Sequence, residues 1–246
     1  MNKDSATLNS TIKNIQLCQK LGLPTQKIIS HSFDKNQEFS WLLLERLPGR
    51  DLKYELPNMS DRAVKNLAKK IVSAQKKLQA LPRVKQFGAI GSGWHSKADP
   101  VIFDSWIDFV RQLLKSNKAP KSYLKIADTL KPEFKKLTPK YLYDDWTTKN
   151  VLIENQKLVG LIDLDWIFSG DVMYWLGFVR TTLLYDLPKK ELRYFDALIA
   201  ELQPSEQDLK RANFYTAVTL FDFIRRSSPT KKLRLRKIQQ QLIALI

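Results

Sequence analysis

The stretch that decides the fold is YLYDDWTTKNVLIENQKLVGLIDLDW, residues 141–166. Within it, two short apolar runs stand on either side of the polar residues ENQK. If Asn155 and Gln156 form a two-residue turn, the runs pair as an antiparallel hairpin in which Asn150 faces Leu161. The pattern therefore predicts a β-hairpin that is preceded by an acidic loop.

Three oxygen-bearing side chains converge at the open end of this predicted hairpin. Asp163 lies just beyond the strand that faces Asn150, and Asp145 precedes Asn150 by a short loop. Two carboxylates and one amide are hard ligands, which suit Mg²⁺ better than a soft transition metal. Phosphoryl transfer uses such a set, because one carboxylate orients the attacking hydroxyl while the others hold the metal at the phosphates.

The rest of the chain predicts an α+β protein with a small first part and a mostly helical second part. Residues 1–52 contain an amphipathic helix (7–21) and two strands (25–33 and 39–47) around a turn at 34–37. Residues 53–246 contain an irregular connection at 84–101, a short β region at 140–163, and several helices. We expect these helices at 61–81 with Ser60 as N-cap, 103–116, 120–137, 171–184, 188–202, 205–226 and 229–245.

The segments YDDWTTKN, LIDLDW and SGD together resemble the aminoglycoside phosphotransferase and choline kinase-like family, whose members have the protein-kinase fold. The resemblance implies that Asp145 is the catalytic base and that Asn150 and Asp163 bind magnesium. It also implies ATP and Mg²⁺ as cofactors, and a small-molecule hydroxyl as acceptor, such as that of an aminoglycoside, a sugar, a choline-like or an amino-acid-like compound.

The segment WLLLERLPGRDL (41–52) resembles the hinge between the two lobes of these kinases, whose backbone binds adenine. The resemblance implies that the nucleotide-binding residues are Leu44, Glu45, Arg46 and Leu47. It divides the chain into a partial N-lobe with its hinge (1–52) and a helical C-lobe that carries the catalytic loop and metal site (53–246).

The chain departs from the family pattern at two places. Tyr143 and Asp144 stand where the family has His and Gly, and residues 5–21 contain no acidic side chain to pair with the lysine of a complete N-lobe. The glycine-rich strand pair and that lysine are also not recognisable before the first helix, so we expect a truncated N-lobe. These departures leave open a catalytically inactive, kinase-like binding protein.

Four further charged residues near the motifs have alternative interpretations. Asp144 either supports the site electrostatically or lies at the surface. For Asp165, a loop-stabilising or ion-pair role is favoured over metal binding, and for Asp171 the favoured role is N-cap of the following helix. Lys149 is interpreted as a solvated loop residue, with a phosphate contact as the alternative.

The composition is strongly basic, with a net charge of +16. Nucleic-acid binding is one reading of that charge, but many lysines fall between apolar positions of predicted helices, as solvated faces require. No nucleic acid is therefore expected as a partner, although binding to one stays the second alternative function. A positive field also suits an anionic nucleotide.

The sequence also indicates where the protein acts. Cys18 is the only cysteine, which excludes an intrachain disulfide and a cysteine metal cluster. No apolar run approaches the roughly 20 residues of a membrane-spanning helix, and the first residues lack a secretory signal. We expect a cytoplasmic monomer or dimer without membrane insertion.

Overall fold

A computed structural model describes residues 3–33, 39–82, 84–90, 102–165 and 167–246. The helices are α1 (Lys3–Lys20), α2 (Leu52–Glu55), α3 (Asp61–Gln79), α4 (Trp106–Ser116), α5 (Ser122–Thr129), α6 (Lys131–Lys136), α7 (Val172–Asp186), α8 (Arg193–Leu202), α9 (Glu206–Arg225) and α10 (Pro229–Ile243). The strands are β1 (Ile28–Ser32), β2 (Trp41–Leu44), β3 (Arg50–Asp51), β4 (Phe87–Ile90), β5 (Ile102–Phe103), β6 (Tyr141–Leu142), β7 (Val151–Glu154), β8 (Lys157–Leu161) and β9 (Ile167–Ser169). The predicted α+β class is confirmed.

The first part of the chain consists of α1 and the antiparallel pair β1–β2. His31 pairs with Leu42 and Ser32 with Trp41, and the register shifts near Ile28. The two predicted strands are thus confirmed, while the turn predicted at 34–37 lies outside the described residues. On α1, the apolar side chains of Ile15 and Cys18 are buried, as expected for an amphipathic helix.

The predicted hinge segment does more than connect the two parts, because it adds a strand to the hairpin that follows the acidic loop. β3 pairs with β7, with Arg50 opposite Ile153, and β7 pairs with β8. Gly49 has φ of +91°, and a Cβ there would lie 2.7 Å from the carbonyl oxygen of Ile153. Glycine is required at this position because the chain is left-handed and the backbones approach closely.

The hairpin β7–β8 has the predicted two-residue turn and, next to it, the predicted pairing of Glu154 with Lys157, but its register changes farther along. Asn155 and Gln156 have φ of 48° and 62°, which is the type I′ conformation that matches the twist of the strands. Val151, not Asn150, pairs with Leu161, so the predicted pairing is wrong by one residue. A β-bulge, which inserts one extra residue into a strand, causes this shift.

A four-stranded sheet with the order β5-β4-β9-β6 was not predicted. The irregular connection expected at 84–101 is wrong for β4, whose Ala89 pairs with Phe168 of β9; residues 91–101 lie outside the described residues. These strands are two to four residues long, too short to show an alternating pattern. Their partners also lie far away in the chain, so only tertiary pairing forms them.

The predicted helices are confirmed with two interruptions. The helix expected at 120–137 breaks at Leu130 into α5 and α6, where Pro132 stands in the first turn of α6. Proline has no amide hydrogen to continue the α-helical hydrogen bonds, so a helix begins anew around it. The helix expected at 188–202 starts as a 3₁₀ turn, Lys189–Leu192. Ser60 is the N-cap of α3, as predicted, and accepts a hydrogen bond from the amide of Ala63.

An aromatic cluster connects α4 to α7 and α9 in the larger part of the chain. Trp106 is stacked on Phe109 at 4.4 Å between ring centroids and meets Phe168, Tyr174 and Tyr215 edge to face. Such arrangements bring the positive edge of one ring to the negative face of another. The cluster belongs to the same hydrophobic core as Tyr143 and Trp146 of the acidic loop.

Asp171 caps α7, as predicted, and is also the centre of a buried polar network. Its carboxylate accepts a hydrogen bond from the amide of Met173 at 3.0 Å and another from Tyr215 Oη at 3.1 Å. Arg211 Nε lies 2.7 Å from Asp171 Oδ2, and both side chains are buried. The charge of Asp171 is therefore compensated inside the core.

In the described part of the chain, every helix is too short or too polar to cross a membrane.

We predict that Arg211→Met lowers the free energy of unfolding by about 3–5 kcal/mol, because the carboxylate of Asp171 is left buried without its cation. Urea denaturation at pH 7 measures this loss. The matched control is Lys136→Met, which breaks an exposed pair with Glu133 and costs less than about 1 kcal/mol. Equal losses in the two variants would show that the Asp171 network is not needed for stability.

Candidate active site

The acidic loop between β6 and β7 is shaped by hydrogen bonds to the backbone of Asp145. The carbonyl oxygen of Asp145 accepts from the amide of Thr147 at 2.8 Å and from Asn150 Nδ2 at 3.0 Å. The side chain of Thr147 donates to Asp145 Oδ1 at 3.3 Å. A hydrogen bond thus joins Asp145 and Asn150, the first and last residues of the predicted Asp-x4-Asn motif.

A buried glutamine of α3 holds the start of this loop. Gln75 Nε2 donates to the carbonyl of Tyr143 at 2.6 Å, and the amide of Tyr143 donates to Gln75 Oε1 at 3.0 Å. Gln75 has no exposed surface. Sequence reasoning missed this residue, although a glutamine on the apolar face of α3 was a signal for it.

The far side of the loop is anchored to α7 and α2. Trp175 Nε1 donates to the carbonyl of Trp146 at 3.2 Å, and Thr148 Oγ1 donates to Asp186 at 2.6 Å. The amide of Lys53 donates to the carbonyl of Thr148 at 2.9 Å. The loop is therefore held on three sides by fixed elements, as a preorganised site requires.

Asp145 is partly buried and surrounded by other carboxylates. Burial, reinforced by the charges of Asp144 and Asp163, raises the pKa of Asp145 to about 7. Hydrogen bonds from Thr147 and Asn150 act in the opposite direction and are weaker. A carboxylate with a pKa close to neutrality can exchange a proton near physiological pH.

Asn150 and Asp163 lie next to each other at the open end of the hairpin. The amide of Ile162 donates to the carbonyl of Asn150 at 3.1 Å, which places Asp163 just beyond. Asp163 has φ of +64°, a left-handed conformation that is uncommon outside glycine and that clusters at functional sites. The side chain stays exposed, and partial desolvation together with Asp165 raises its pKa.

The segment after Asp163 is fixed by α1. Thr11 Oγ1 donates to Asp165 Oδ1 at 3.0 Å, and Asn14 Nδ2 donates to the carbonyl of Leu164 at 3.0 Å. Thr11 and Asn14 are both buried. Asp165 thus has the loop-stabilising contact that was favoured for it, while Lys149 is exposed, as its predicted solvated role requires.

The surface alternative for Asp144 is wrong. This side chain is only 8% exposed, and its charge contributes to the raised pKa of Asp145. The error arose because a run of two adjacent acids in a loop normally puts at least one into solvent. Here the aromatic neighbours Tyr143 and Trp146 are themselves buried, so the loop turns inward.

A cavity of about 300 Å³ lies between α1, the end of β2 and the segment 162–165. Its walls include Asn150, Asp163 and Asp165 on one side and Thr11 and Leu44 on the other. Both predicted metal ligands therefore line the same space.

The predicted hinge residues have different positions relative to this cavity. Leu44 lines it, and Arg46 is exposed. The backbone of Glu45 is engaged within the protein, since its amide donates to the carbonyl of Lys27 at 2.8 Å and its carbonyl accepts from Gln26 Nε2 at 2.9 Å. The side chain of Leu47 packs against Gly160, where a Cβ would approach it to 2.5 Å.

The donor set fits a hard divalent cation with few protein ligands. In the described residues, no group of three or more His, Cys, Asp or Glu side chains is arranged to hold a metal. Because Asn150 donates through its amide nitrogen, its amide oxygen is the atom available to a cation, and Asp163 adds a carboxylate. Mg²⁺ is commonly bound by one or two protein oxygens together with phosphates and water.

Comparison with known proteins assigns the family. The profile of the phosphotransferase enzyme family (APH) matches residues 5–206, well over half of the chain. The chain belongs to the phosphotransferase enzyme family. The predicted resemblance is confirmed by this match, whereas no curated protein matched the sequence.

Solved structures show that this family member has the protein-kinase-like fold that was predicted. A thermostable mutant of aminoglycoside phosphotransferase APH(4)-Ia, in ternary complex with AMP-PNP and hygromycin B, is 13% identical with a TM-score of 0.63, covering 96% of this chain and 83% of that one. A Haemophilus somnus 129PT protein assigned as a fructosamine-3-kinase is 17% identical with a TM-score of 0.64, covering 97% and 80%. The GDP complex of aminoglycoside 2′-phosphotransferase-IIIa is 13% identical with a TM-score of 0.60, covering 99% and 84%.

We predict that Asp145→Asn stabilises the protein at pH 8 by up to about 4 kcal/mol. The folded pKa of about 7 lies above the ordinary value of 3.8, so the folded state binds more protons than the unfolded state between these values. The stability of the wild type should consequently fall as pH rises from about 4 to 7. Chemical denaturation with a chelator present measures both effects, with the exposed Asp128→Asn as control. Parallel pH profiles of wild type and Asp145→Asn would contradict the prediction.

We predict that Gln75→Leu lowers the free energy of unfolding by about 2–5 kcal/mol, because the amide and carbonyl of Tyr143 both lose their buried partner. Thermal or urea denaturation measures the loss. The control Gln207→Leu changes an exposed glutamine of α9 and should stay within about 0.5 kcal/mol of wild type. A loss no larger than that of the control would mean that the hydrogen bonds between Gln75 and the backbone of Tyr143 are not needed for stability.

Proposed function

We propose that this protein is an ATP- and Mg²⁺-dependent phosphotransferase that moves the γ-phosphoryl group to a hydroxyl of a small molecule. The observation that carries the proposal is the meeting of Asp145, Asn150 and Asp163 at one end of the hairpin, beside the cavity under α1. Family membership supports the reaction class.

Asp145 is the proposed catalytic base. It accepts the proton of the acceptor hydroxyl as the hydroxyl oxygen bonds to the γ-phosphorus. The bond from that phosphorus to the bridging oxygen of ATP breaks, and ADP leaves. The raised pKa of Asp145 supports this role, because a base works best when its pKa lies near the working pH.

Asn150 and Asp163 are the proposed magnesium ligands. Both residues line the same cavity, each has a side-chain oxygen that suits Mg²⁺, and the ion would neutralise the negative charge of the phosphates. Thr11 and Asn14 keep the segment after Asp163 in place through their contacts with Asp165 and Leu164.

The nucleotide is proposed to occupy the cavity and to reach the hinge residues, of which Leu44 lines the cavity. Nucleotide binding itself is supported by similar structures that contain nucleotides: AMP-PNP in APH(4)-Ia and GDP in the 2′-phosphotransferase-IIIa. The acceptor is proposed to be a small alcohol, of the aminoglycoside, sugar, choline-like or amino-acid-like class. We place the protein in the cytoplasm as a monomer or dimer.

A catalytically inactive, nucleotide-binding protein of the same fold is the second candidate. The observation that favours it is that the side chains of α1 that contact the site segment are uncharged. Thr11 and Asn14 contact the metal-binding segment through hydrogen bonds, and residues 5–21 contain no acidic side chain for an ion pair. Such a helix lacks the Glu that pairs, in protein kinases, with the lysine that must be in place for phosphoryl transfer.

The test compares Asp145→Asn and Asp163→Ala with the control Asp128→Ala in α5. Equilibrium binding of ATP with and without Mg²⁺ is measured first, followed by transfer of labelled γ-phosphate to a panel of hydroxyl compounds. We expect Asp163→Ala to lose the Mg²⁺-dependent part of ATP binding. Asp145→Asn should keep ATP binding and lower kcat by about 10²–10⁴-fold.

The outcomes distinguish the two candidates. Mg²⁺-dependent ATP binding without transfer to any acceptor, and without slow ATP hydrolysis, favours the inactive protein. If the wild type and Asp163→Ala bind ATP indistinguishably in the presence of Mg²⁺, the proposed site is wrong for both.

A further inference from the structure

A second and larger cavity is also lined by residues of the hairpin. It has a volume of about 840 Å³ and runs between α3, the turn of β7–β8 and the segment that follows α1. We call it the basic groove. None of its lining residues lines the active-site cavity, although Leu161 of the groove is followed directly by Ile162 and Asp163 of the site.

Every charged side chain in the described lining of the basic groove is basic. It carries five basic side chains and no carboxylate: Arg62, Lys69, Lys70, Lys77 and Lys157. In the described part of the chain, none of the five has a carboxylate partner within ion-pair distance. An unpaired group of like charges repels itself, so an anionic occupant would relieve the repulsion.

The floor of the basic groove is aliphatic. It is formed by the exposed Pro24, the half-buried Leu158 and the buried side chains of Leu23, Leu67 and Leu161, and no aromatic side chain lines the groove in the described part of the chain. An occupant must therefore present apolar groups to the floor as well as acidic groups to the rim. Single-stranded nucleic acids gain much of their affinity by stacking bases on aromatic rings, which this floor does not offer.

The length of the basic groove fits a short extended peptide. Its rim follows α3 from Arg62 to Lys77, which at 1.5 Å per residue is about 22 Å. An extended peptide advances about 3.3 Å per residue, so about seven residues span this distance. In such a peptide, alternate side chains point in opposite directions, one set toward the floor and the other toward the rim.

The walls of the basic groove are fixed by hydrogen bonds. Gln156 Oε1 in the hairpin turn accepts from both the amide and the hydroxyl of Ser60, each at 2.9 Å. The amide of Leu161 donates to the carbonyl of Pro24 at 2.7 Å, and Lys77 Nζ donates to the carbonyl of Leu21 at 2.8 Å. A preformed groove spends little free energy on ordering when a partner binds.

We propose that the basic groove docks an extended acidic segment of a partner protein, about seven residues long, in which aliphatic and acidic side chains alternate. The aliphatic side chains pack on the floor, and the acidic ones pair with the cations of the rim. This docking function is separate from the proposed phosphotransferase reaction and does not require it.

The experiment measures binding of a fluorescein-labelled eight-residue peptide of alternating Leu and Glu to the full chain by fluorescence anisotropy. We expect saturable binding that weakens with salt. The double variant Lys69→Glu/Lys70→Glu should bind at least about tenfold more weakly. The matched control Arg236→Glu/Lys237→Glu makes the same change in net charge at two exposed cations of α10 and should bind as the wild type does. Thermal unfolding of both variants verifies that they are folded, and Lys69→Gln/Lys70→Gln should give an intermediate loss.

Two further probes decide whether the occupant is a peptide of this chemistry. A peptide of alternating Ser and Glu keeps the charge without the aliphatic groups and should bind more weakly than the Leu peptide. Equal binding of these two peptides, or equal loss of binding in both charge variants, overturns the proposal. A 20-nucleotide single strand that binds more tightly than the Leu peptide, and loses binding through the Lys69/Lys70 change, also overturns it in favour of nucleic acid.

Discussion

The buried amide of Gln75 is the contact on which the acidic loop depends. It replaces the hydrogen bonds that water would give to the backbone of Tyr143, and it does so in both directions. A buried peptide group without a partner is costly, so this side chain fixes where β6 ends and the loop begins. From that point, the loop buries Asp144 and places the carbonyl oxygen of Asp145 where it accepts a hydrogen bond from Asn150 Nδ2.

The local electrostatics of the site are opposite to those of the whole molecule. A chain with a net charge of +16 gathers the carboxylates of Asp144, Asp145, Asp163 and Asp165 around one hairpin end, and burial and mutual repulsion raise the pKa of Asp145. Asp171, only a few residues further on, is instead neutralised by a buried arginine.

Residues of the hairpin β7–β8 and those directly next to it line two cavities of different chemistry. The residues that follow β8 line the acidic, polar cavity under α1, while the turn and both ends of β8 line the cationic groove along α3. Thr11 and Asn14 of α1 contact the segment after Asp163, and Gly22, Leu23 and Pro24, which follow α1, line the groove. The hairpin and the residues next to it thus contribute to two cavities of opposite charge, one lined by carboxylates and the other by basic side chains.

The sequence by itself determined most of the helices, the hairpin turn at Asn155–Gln156, and the family, because amphipathic periodicity, turn chemistry and the spacing of Asp145, Asn150 and Asp163 are local properties. Tertiary structure alone decided the sheet β5-β4-β9-β6, the bulge that shifts the hairpin register, the burial of Asp144 and the clamp by Gln75. Each of these joins residues that are distant in the chain or depends on what packs over a loop. The free energy that stabilises these features comes from partners that no local pattern encodes. The sequence therefore indicated the chemistry of the site, while only the folded chain decided how the site is buried, supported and surrounded.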